Sequence, residues 1–455
     1  MNKPNIIFLT IDTLRLDALG RSPALMPNLD ALAAKSMTFT QAITGGSWTQ
    51  AAFPVIMTST YASMYGGCLG SLAPERPSPI ETLAANGYTA GGFSTSPLLS
   101  HAYGYNRGFH HFDDLSPNEK DPPLRSKKGG QRLLRNPLTH TILGWFGQQA
   151  RPAKVYVTAE KLTDAACQWM DGVETPFFAW LHYMDVHWPY HQEDNLTRPA
   201  DIAQAWRDLA HLHDVNWNGA PISDEERKHY IQLYEEAVRY TDDQLGRLLR
   251  YLEENGRMEN SVIVILADHG EEFMEHGRWG HWESNLHDEV LKVPLIIHLP
   301  NQKTPQRIER QTRTLDLMPT LLDLCGCPIS GDLMGASMKP LWAGDEAADA
   351  RAYDASVSVS EMWRGHWHRI AVRTEAFKYI WDSKNPDEAT LFDLQADPHE
   401  SRNIADQRPD VVADLHDYVA ERLRQMEATK PTNEAADMML DEEIIGRLRD
   451  LGYVE

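Results

Sequence analysis

Asn5-Ile6-Ile7-Phe8-Leu9-Thr10-Ile11-Asp12 is an unbroken apolar, β-rich run that ends on a carboxylate. A strand with one wet face alternates polar and apolar residues. A run without alternation predicts a strand buried on both faces, as in a parallel sheet covered by helices. The same pattern returns at Ser261-Val262-Ile263-Val264-Ile265-Leu266-Ala267, which ends on Asp268-His269-Gly270. Phe177-Phe178-Ala179-Trp180-Leu181 and Val293-Pro294-Leu295-Ile296-Ile297 predict two further buried strands. Helical patterns lie between them. Ile80 to Asn86 closes on Gly87, and Glu225 to Glu254 closes on Asn255-Gly256. Strands alternating with helices predict an α/β fold with a largely parallel central sheet flanked by helices.

A chain of 455 residues exceeds what one core usually serves, so a large domain with a smaller one is expected. Residues 1–340 are assigned to the α/β unit and residues 341–455 to a small C-terminal α+β subdomain. In the latter, Trp367 to Val372, Phe377 to Trp381 and Leu391 to Leu394 read as short strands, and Pro409 to about Ala428 as an amphipathic helix. Two insertions interrupt the first unit. Residues 116–154 carry Arg125, Lys127, Lys128, Arg132, Arg135 and Arg151 and read first as a solvated insertion. A lid, an oligomer contact or an anion-attracting rim are the other readings. Residues 195–224 read as irregular.

The net charge of −22 opposes general nucleic-acid binding, which shows a basic patch or stripe. The N-terminal apolar run is too short for a signal segment, and no apolar stretch is long enough to span a membrane. The four cysteines are scattered, as in a reducing compartment, and Cys325-Gly326-Cys327 reads as packing. The expectation is a cytoplasmic protein without nucleic-acid or membrane partners, compatible with a homo-oligomer. Handling anions would then require positive potential built locally, and a bound cation supplies it.

Asp12, Asp268 and His269 each follow a buried strand. Ligands in open α/β sheets bind outside the carboxyl ends of strands, so these groups can converge. Two carboxylates and an imidazole suit Mn²⁺, Mg²⁺, Ca²⁺ or Zn²⁺. Asp12 alone would read as a turn former. Asp-His-Gly after an apolar strand, followed by Glu271, Glu272, His276 and His281, argues for more. Thr49 stands in Ser47-Trp48-Thr49-Gln50, ahead of the mainly apolar Ala51 to Ser59. A hydroxyl at a helix start can be activated by free N–H groups and a metal. On the residues alone Thr49 reads as a helix N-cap, with Pro54 disturbing the second turn.

The opening run to Asp12 resembles the first strand of the sulfatase family, within the alkaline phosphatase superfamily. Met26-Pro27-Asn28-Leu29-Asp30-Ala31-Leu32-Ala33 and Thr82 to Gly91 resemble its next segments. Asp185-Val186-His187-Trp188-Pro189-Tyr190 is similar to its Asp-x-His-x-Pro-Tyr loop, and Ala267 to Glu272 with His276-Gly277 to its metal-bearing loop. Thr314 to Thr320 and Leu391-Phe392-Asp393-Leu394, with Asp397-Pro398 and Glu400, are similar to later landmarks. Together these motifs cover almost the whole chain in order.

The resemblance implies an alkaline-phosphatase-like fold and one divalent metal ion held by Asp12, Thr49, Asp268 and His269. It puts Thr49 at the nucleophile position, where sulfatases carry a Cys or Ser that becomes formylglycine. Here Thr49-Gln50-Ala51-Ala52-Phe53 lacks that Cys or Ser, the Pro and the Arg, so no formylglycine is expected. Thr13 stands for the family's second N-terminal carboxylate, and Ser94-Thr95-Ser96-Pro97 for its Gly-Lys-Trp-His segment. His187 and His281 fall where relatives bind substrate or meet the leaving group, with Asp185 beside His187; Arg15 and Asp17 read as support behind the metal or as a surface ion pair. The implied activity is hydrolysis of a small anionic phosphate-type ester, a phosphodiester or phosphonate monoester, through covalent Thr49. A sulfuric ester hydrolase without formylglycine is the alternative, and a non-catalytic binding protein on the same scaffold is the third reading.

Overall fold

The computed structural model describes residues 3–67, 69–115, 156–192, 195–281, 286–342, 353–364 and 367–430. The expected insertion at 116–154 lies outside them. The strands of the main sheet are β1 (Asn5–Ile11), β2 (Met37–Ile43), β3 (Thr89–Ser94), β4 (His111–Asp114), β5 (Phe177–Tyr183) and β6 (Ser261–Ala267). A short β7 (Glu272–Phe273) and β8 (Trp279–Gly280) form a ribbon of their own, and β9 (Lys292–His298), β10 (Gln306–Ile308) and β11 (Thr312–Arg313) complete the main sheet. The order across it is β10-β2-β9-β6-β1-β5-β3-β4, with β11 also on β2. Every described pairing is parallel except those of β9, which runs against both β2 and β6. Its apolar run had pointed to another parallel strand. Periodicity reports burial, which β9 has, and is silent on direction.

β1, β5 and β6 are buried at every position, which is why their sequences do not alternate. The register then places the chemistry. Ile11 pairs with Ala267 on one side and with Tyr183 on the other, so the chain leaves β1 and β6 side by side, at Asp12 and Asp268.

The helices are α1 (Pro27–Ala33), α2 (Thr49–Thr58), α3 (Pro79–Ala85), α4 (Ala159–Gly172), α5 (Pro199–Asn218), α6 (Asp224–Glu254), α7 (Asp288–Leu291), α8 (Leu317–Leu324) and α9 (Pro409–Ala428). α6 opens on a capping box of Ser223 and Glu226, the signature that stabilises a helix start. The expectation of irregular structure over 195–224 is corrected by α5, which starts at Pro199 and stops at left-handed Gly219 (φ 64°). Its apolar residues Ile202, Ala205, Trp206, Leu209 and Leu212 recur at helical spacing among Asp, Asn and Trp, and composition masked that period. No helix among the described residues is long and apolar enough to cross a membrane.

Beyond the main sheet, β12 (Ser358–Arg364), β13 (Trp367–Arg373), β14 (Phe377–Asp382) and β15 (Thr390–Asp393) form an antiparallel meander. Leu415 and Val419 of α9 join Ile370, Val372, Tyr379 and Leu391 in a core that also takes in Val55 of α2. β12 reaches further. Glu361 N–H donates to Gly45 O (2.9 Å) and Ser360 Oγ to Thr44 O (2.6 Å), so the C-terminal sheet braces the segment that leads into Thr49. Cys325 and Cys327 lie buried in the main core as free thiols.

Candidate active site

Asp12 leaves β1 and turns at Thr13, whose φ of 58° is left-handed for a β-branched residue. Such a conformation costs about 1–3 kcal/mol and persists only where the surroundings hold it. Thr13 N–H donates to Asp268 Oδ1 (3.3 Å), Tyr234 Oη donates to Thr13 O (3.0 Å), and Arg15 N–H donates to Tyr234 Oη (2.9 Å). The turn is thus clamped between α6 and the second strand end.

Asp268 is fixed by the N–H of His269 on Oδ1 (2.9 Å). Gly270 follows, where a Cβ would meet Glu289 O at 2.1 Å, so only glycine lets the loop pass this close to α7. His269 Nδ1 lies 2.9 Å from Gly270 O; the N–H must sit on Nδ1, which leaves the Nε2 lone pair free. Nε2 lies 3.7 Å from Asp12 Oδ1 and 3.6 Å from Asp268 Oδ2. All three atoms are buried without a hydrogen-bond partner in the protein.

That is the test of fit for a cation. Ligand bonds of about 2.0–2.2 Å around one ion put donor atoms about 3–4 Å apart, the spacing of His269 Nε2 from each carboxylate, and all three donors lie within 4.8 Å of one another. Electrostatics agree. Burial raises the Asp12 pKa, but His187, His182 and His269 outweigh it and hold Asp12 well below the usual carboxylate range. Burial and then the Asp12 charge push Asp268 well above that range. Two carboxylates this close ionise together only beside a positive charge. Burial, helped by His281, lowers His269 to about 3, the neutral form a metal ligand needs.

Thr49 is the first residue of α2, and Trp48 rather than Thr49 holds the N-cap position. The cap reading of Thr49 is therefore replaced. Its hydroxyl is buried and donates to Asp12 Oδ2 (3.3 Å) instead of to the helix. The helix runs through Pro54, and all ten residues of α2 are buried, so tertiary packing overrides the expected break.

His281 and His187 stand beside the cluster, both buried. The His281 ring centroid is 4.4 Å from that of His269 and 5.1 Å from that of His187. His187 is buried, and its Nδ1 lies 2.5 Å from Trp188 O. Asp185 serves a different element: its Oδ2 accepts the N–H of Ala159 (2.7 Å) at the start of α4. Arg15 grips Asp17 through Nε and Nη2 (3.0 and 2.8 Å) while Nη1 reaches Glu271 O (2.8 Å), so it is both an ion pair and a tie to the loop that follows Asp268.

Two neighbours of the cluster had no role from the sequence: Glu271, noted there only as following Asp-His-Gly, and His182. Glu271 accepts from His281 Nδ1 (3.0 Å) and from Tyr190 Oη (3.4 Å), and burial, offset by His187 and His269, leaves its pKa near 7, raised to about 7. His182 Nε2 lies 3.4 Å from Asp12 Oδ2. The signal for His182 was a lone imidazole inside an otherwise apolar strand. The signal for Glu271 was its position directly after Asp-His-Gly.

The sulfatase family pattern matches residues 4–327, and the pattern described as N-sulphoglucosamine sulphohydrolase, C-terminal, matches residues 275–429. The multifunctional alkaline phosphatase superfamily protein PehA of Trinickia caryophylli is 24% identical over 499 residues, covering 93% of this chain and 95% of that protein. The N-acetylglucosamine-6-O-sulfatase of Bacteroides thetaiotaomicron is 29% identical over 222 residues, which cover 45% of this chain and only 38% of that protein's length. Among solved structures, the phosphonate monoester hydrolase of Agrobacterium radiobacter superposes with a TM-score of 0.69 at 19% identity, over 94% of this chain and 96% of the other, a likeness of fold. The chain belongs to the sulfatase family of the alkaline phosphatase superfamily, a family of ester hydrolases.

Proposed function

We propose that this hydrolase cleaves phosphate-type esters, phosphodiesters or phosphonate monoesters, through a covalent intermediate on Thr49, with one divalent cation on Asp12, Asp268 and His269. One observation carries the reading: a buried threonine hydroxyl at a helix N-terminus rests on a carboxylate whose other oxygen faces two further unpartnered ligand atoms. When bound, the cation neutralises non-bridging oxygens of the ester and lowers the pKa of the Thr49 hydroxyl. Thr49 Oγ1 gives its proton to His281 or His187, which burial keeps neutral and able to accept it, and attacks phosphorus. The bond to the alcohol breaks, and the departing oxygen takes that proton from the imidazolium so formed. Water then gives a proton to the same imidazole as it cleaves the phospho-threonine, and this proton passes back to Thr49 Oγ1. The free N–H groups at the start of α2 favour negative charge at Thr49. Thr13 in place of a second N-terminal carboxylate supports one ion rather than two.

Sulfate esters are the second reading, favoured by the two family patterns and by the sulfatase relatives. The absence of Cys or Ser at position 49 weighs against it, since formylglycine has no precursor there. A panel of p-nitrophenyl phosphate, bis-phosphate diester, phosphonate ester and sulfate, each with Mn²⁺, Mg²⁺, Ca²⁺ and Zn²⁺, separates them. The highest kcat/KM is expected on the diester or the phosphonate ester; a preference for sulfate would overturn the phosphate assignment.

A further inference from the structure

We propose that His182 is a positioning residue that fixes the Asp12 carboxylate for the cation, and that Trp180 and Thr10 lock His182 in the tautomer this requires. The inference rests on the one-cation reading above.

The register sets up the chain of contacts. Thr10 and His182 are paired across β1 and β5, and Trp180 and Asp12 lie two residues away on the same faces. Trp180 Nε1 lies 3.0 Å from Thr10 Oγ1, and Thr10 Oγ1 lies 3.0 Å from His182 Nδ1. An indole N–H only donates, so Thr10 Oγ1 accepts from Trp180. The Thr10 hydroxyl has one proton to give, with Leu181 O at 3.4 Å and His182 Nδ1 at the shorter 3.0 Å as its two acceptors. If it goes to His182 Nδ1, the ring proton sits on Nε2, which faces Asp12 Oδ2 at 3.4 Å. The other tautomer would aim a lone pair at a buried carboxylate with no solvent to screen the repulsion, because both side chains are 0% exposed. The anionic Asp12 therefore selects Nε2–H. Phe53 closes the other side, its ring edge-to-face with His182 at 4.9 Å.

Asp12 thereby divides its two oxygens. Oδ1 turns to Asp268 and His269, while Oδ2 accepts from Thr49 and has His182 Nε2 3.4 Å away, close enough for electrostatic attraction but outside hydrogen-bond geometry. Once Thr49 has lost its proton it no longer donates to Oδ2. His182 Nε2, which has no other hydrogen-bond partner, then stays beside Oδ2 and opposes rotation of the carboxylate. Partners behind a metal ligand typically govern 10- to 100-fold in affinity, about that much being expected here.

The test titrates metal-stripped protein with Mn²⁺ alone and with Zn²⁺ alone by calorimetry, and measures metal-free melting in parallel. H182F should weaken binding by about 10- to 100-fold. H182Q, whose amide nitrogen reaches the place of Nε2, should retain more affinity than H182N, whose amide sits near Nδ1. T10V, near-isosteric and safe for folding, should weaken binding several-fold in the wild-type background and not at all in the H182F background. Equal cation affinity in wild type, T10V and H182N would overturn the proposal, as would melting losses with unchanged affinity. D268N serves as the control. If wild type and D268N bind alike, the one-cation reading itself has failed, and that outcome is distinct from a failure confined to His182.

Discussion

Among the clusters of buried charge in the described residues, two are built on opposite principles. Around α7, Lys378 Nζ meets Asp288 Oδ1 and Glu400 Oε1, each at 2.6 Å, and donates to Leu286 O (3.1 Å). Arg373 grips the same Asp288 through Nη2 (2.9 Å) and Nε (3.1 Å). Each charge there faces an opposite one. At the carboxyl ends of β1 and β6, two carboxylates face each other and a neutral imidazole, and Asp12 Oδ1, Asp268 Oδ2 and His269 Nε2 have no protein partner. Burial costs both clusters. The first offsets it internally and ties the C-terminal sheet to α7; the second leaves the deficit for a cation to fill. A site is where the protein leaves its own electrostatics unfinished.

Three perturbations probe that contrast. Thr49→Ala should lower kcat by several orders of magnitude while urea denaturation shifts by less than about 1 kcal/mol, because a nucleophile is lost and no cap is. A variant of normal stability and near-normal turnover would leave Thr49 outside the chemistry. Lys378→Met should cost about 3–5 kcal/mol of stability, since buried Glu400 loses its cation while Asp288 keeps only Arg373, with turnover per folded molecule retained. Asp268→Asn should act with the opposite sign: metal-free stability rises by roughly 1–2 kcal/mol as the cost of keeping a buried acid protonated beside Asp12 is removed, and Mn²⁺ binding is lost. If D268N destabilises as K378M does, the two clusters are of one kind.

The smallest effect is a pH dependence. Burial raises the Asp288 pKa, but Lys378 and Arg373 outweigh it and hold the group below the ordinary carboxylate range. A depressed folded pKa contributes stability that is complete above the unfolded value of about 4 and is lost as pH falls toward the folded one. Wild type should therefore lose stability below about pH 4 faster than K378M does. Parallel acid limbs would remove the cluster from the account.

The sequence made the strand ends legible because a two-sided strand must be apolar throughout, which makes a terminal Asp conspicuous. Asp12, Asp268 and His269 stood out for that reason, and the register of β1 on β6 brought them together. Direction was not legible: β9 is as apolar as its parallel neighbours and runs the other way. α5 was hidden because its apolar period was diluted with Asp, Asn and Trp. Thr49 was found by resemblance, since nothing local distinguishes a nucleophile at the first helical position from a cap one residue earlier. His182 and Glu271 lie against Asp12 and His281, and such contacts exist only across strands and loops that the chain order separates.

The central claim is that Thr49 carries the transferred group. Rapid acid quench of the turning-over, cation-loaded enzyme with a phosphodiester or phosphonate ester, followed by peptide mass spectrometry, addresses it directly. The expected result is an adduct the size of the transferred group on the peptide containing Thr49, localised to that residue, with unmodified threonine in the resting enzyme. Steady turnover with Thr49 unmodified at every quench time would contradict it.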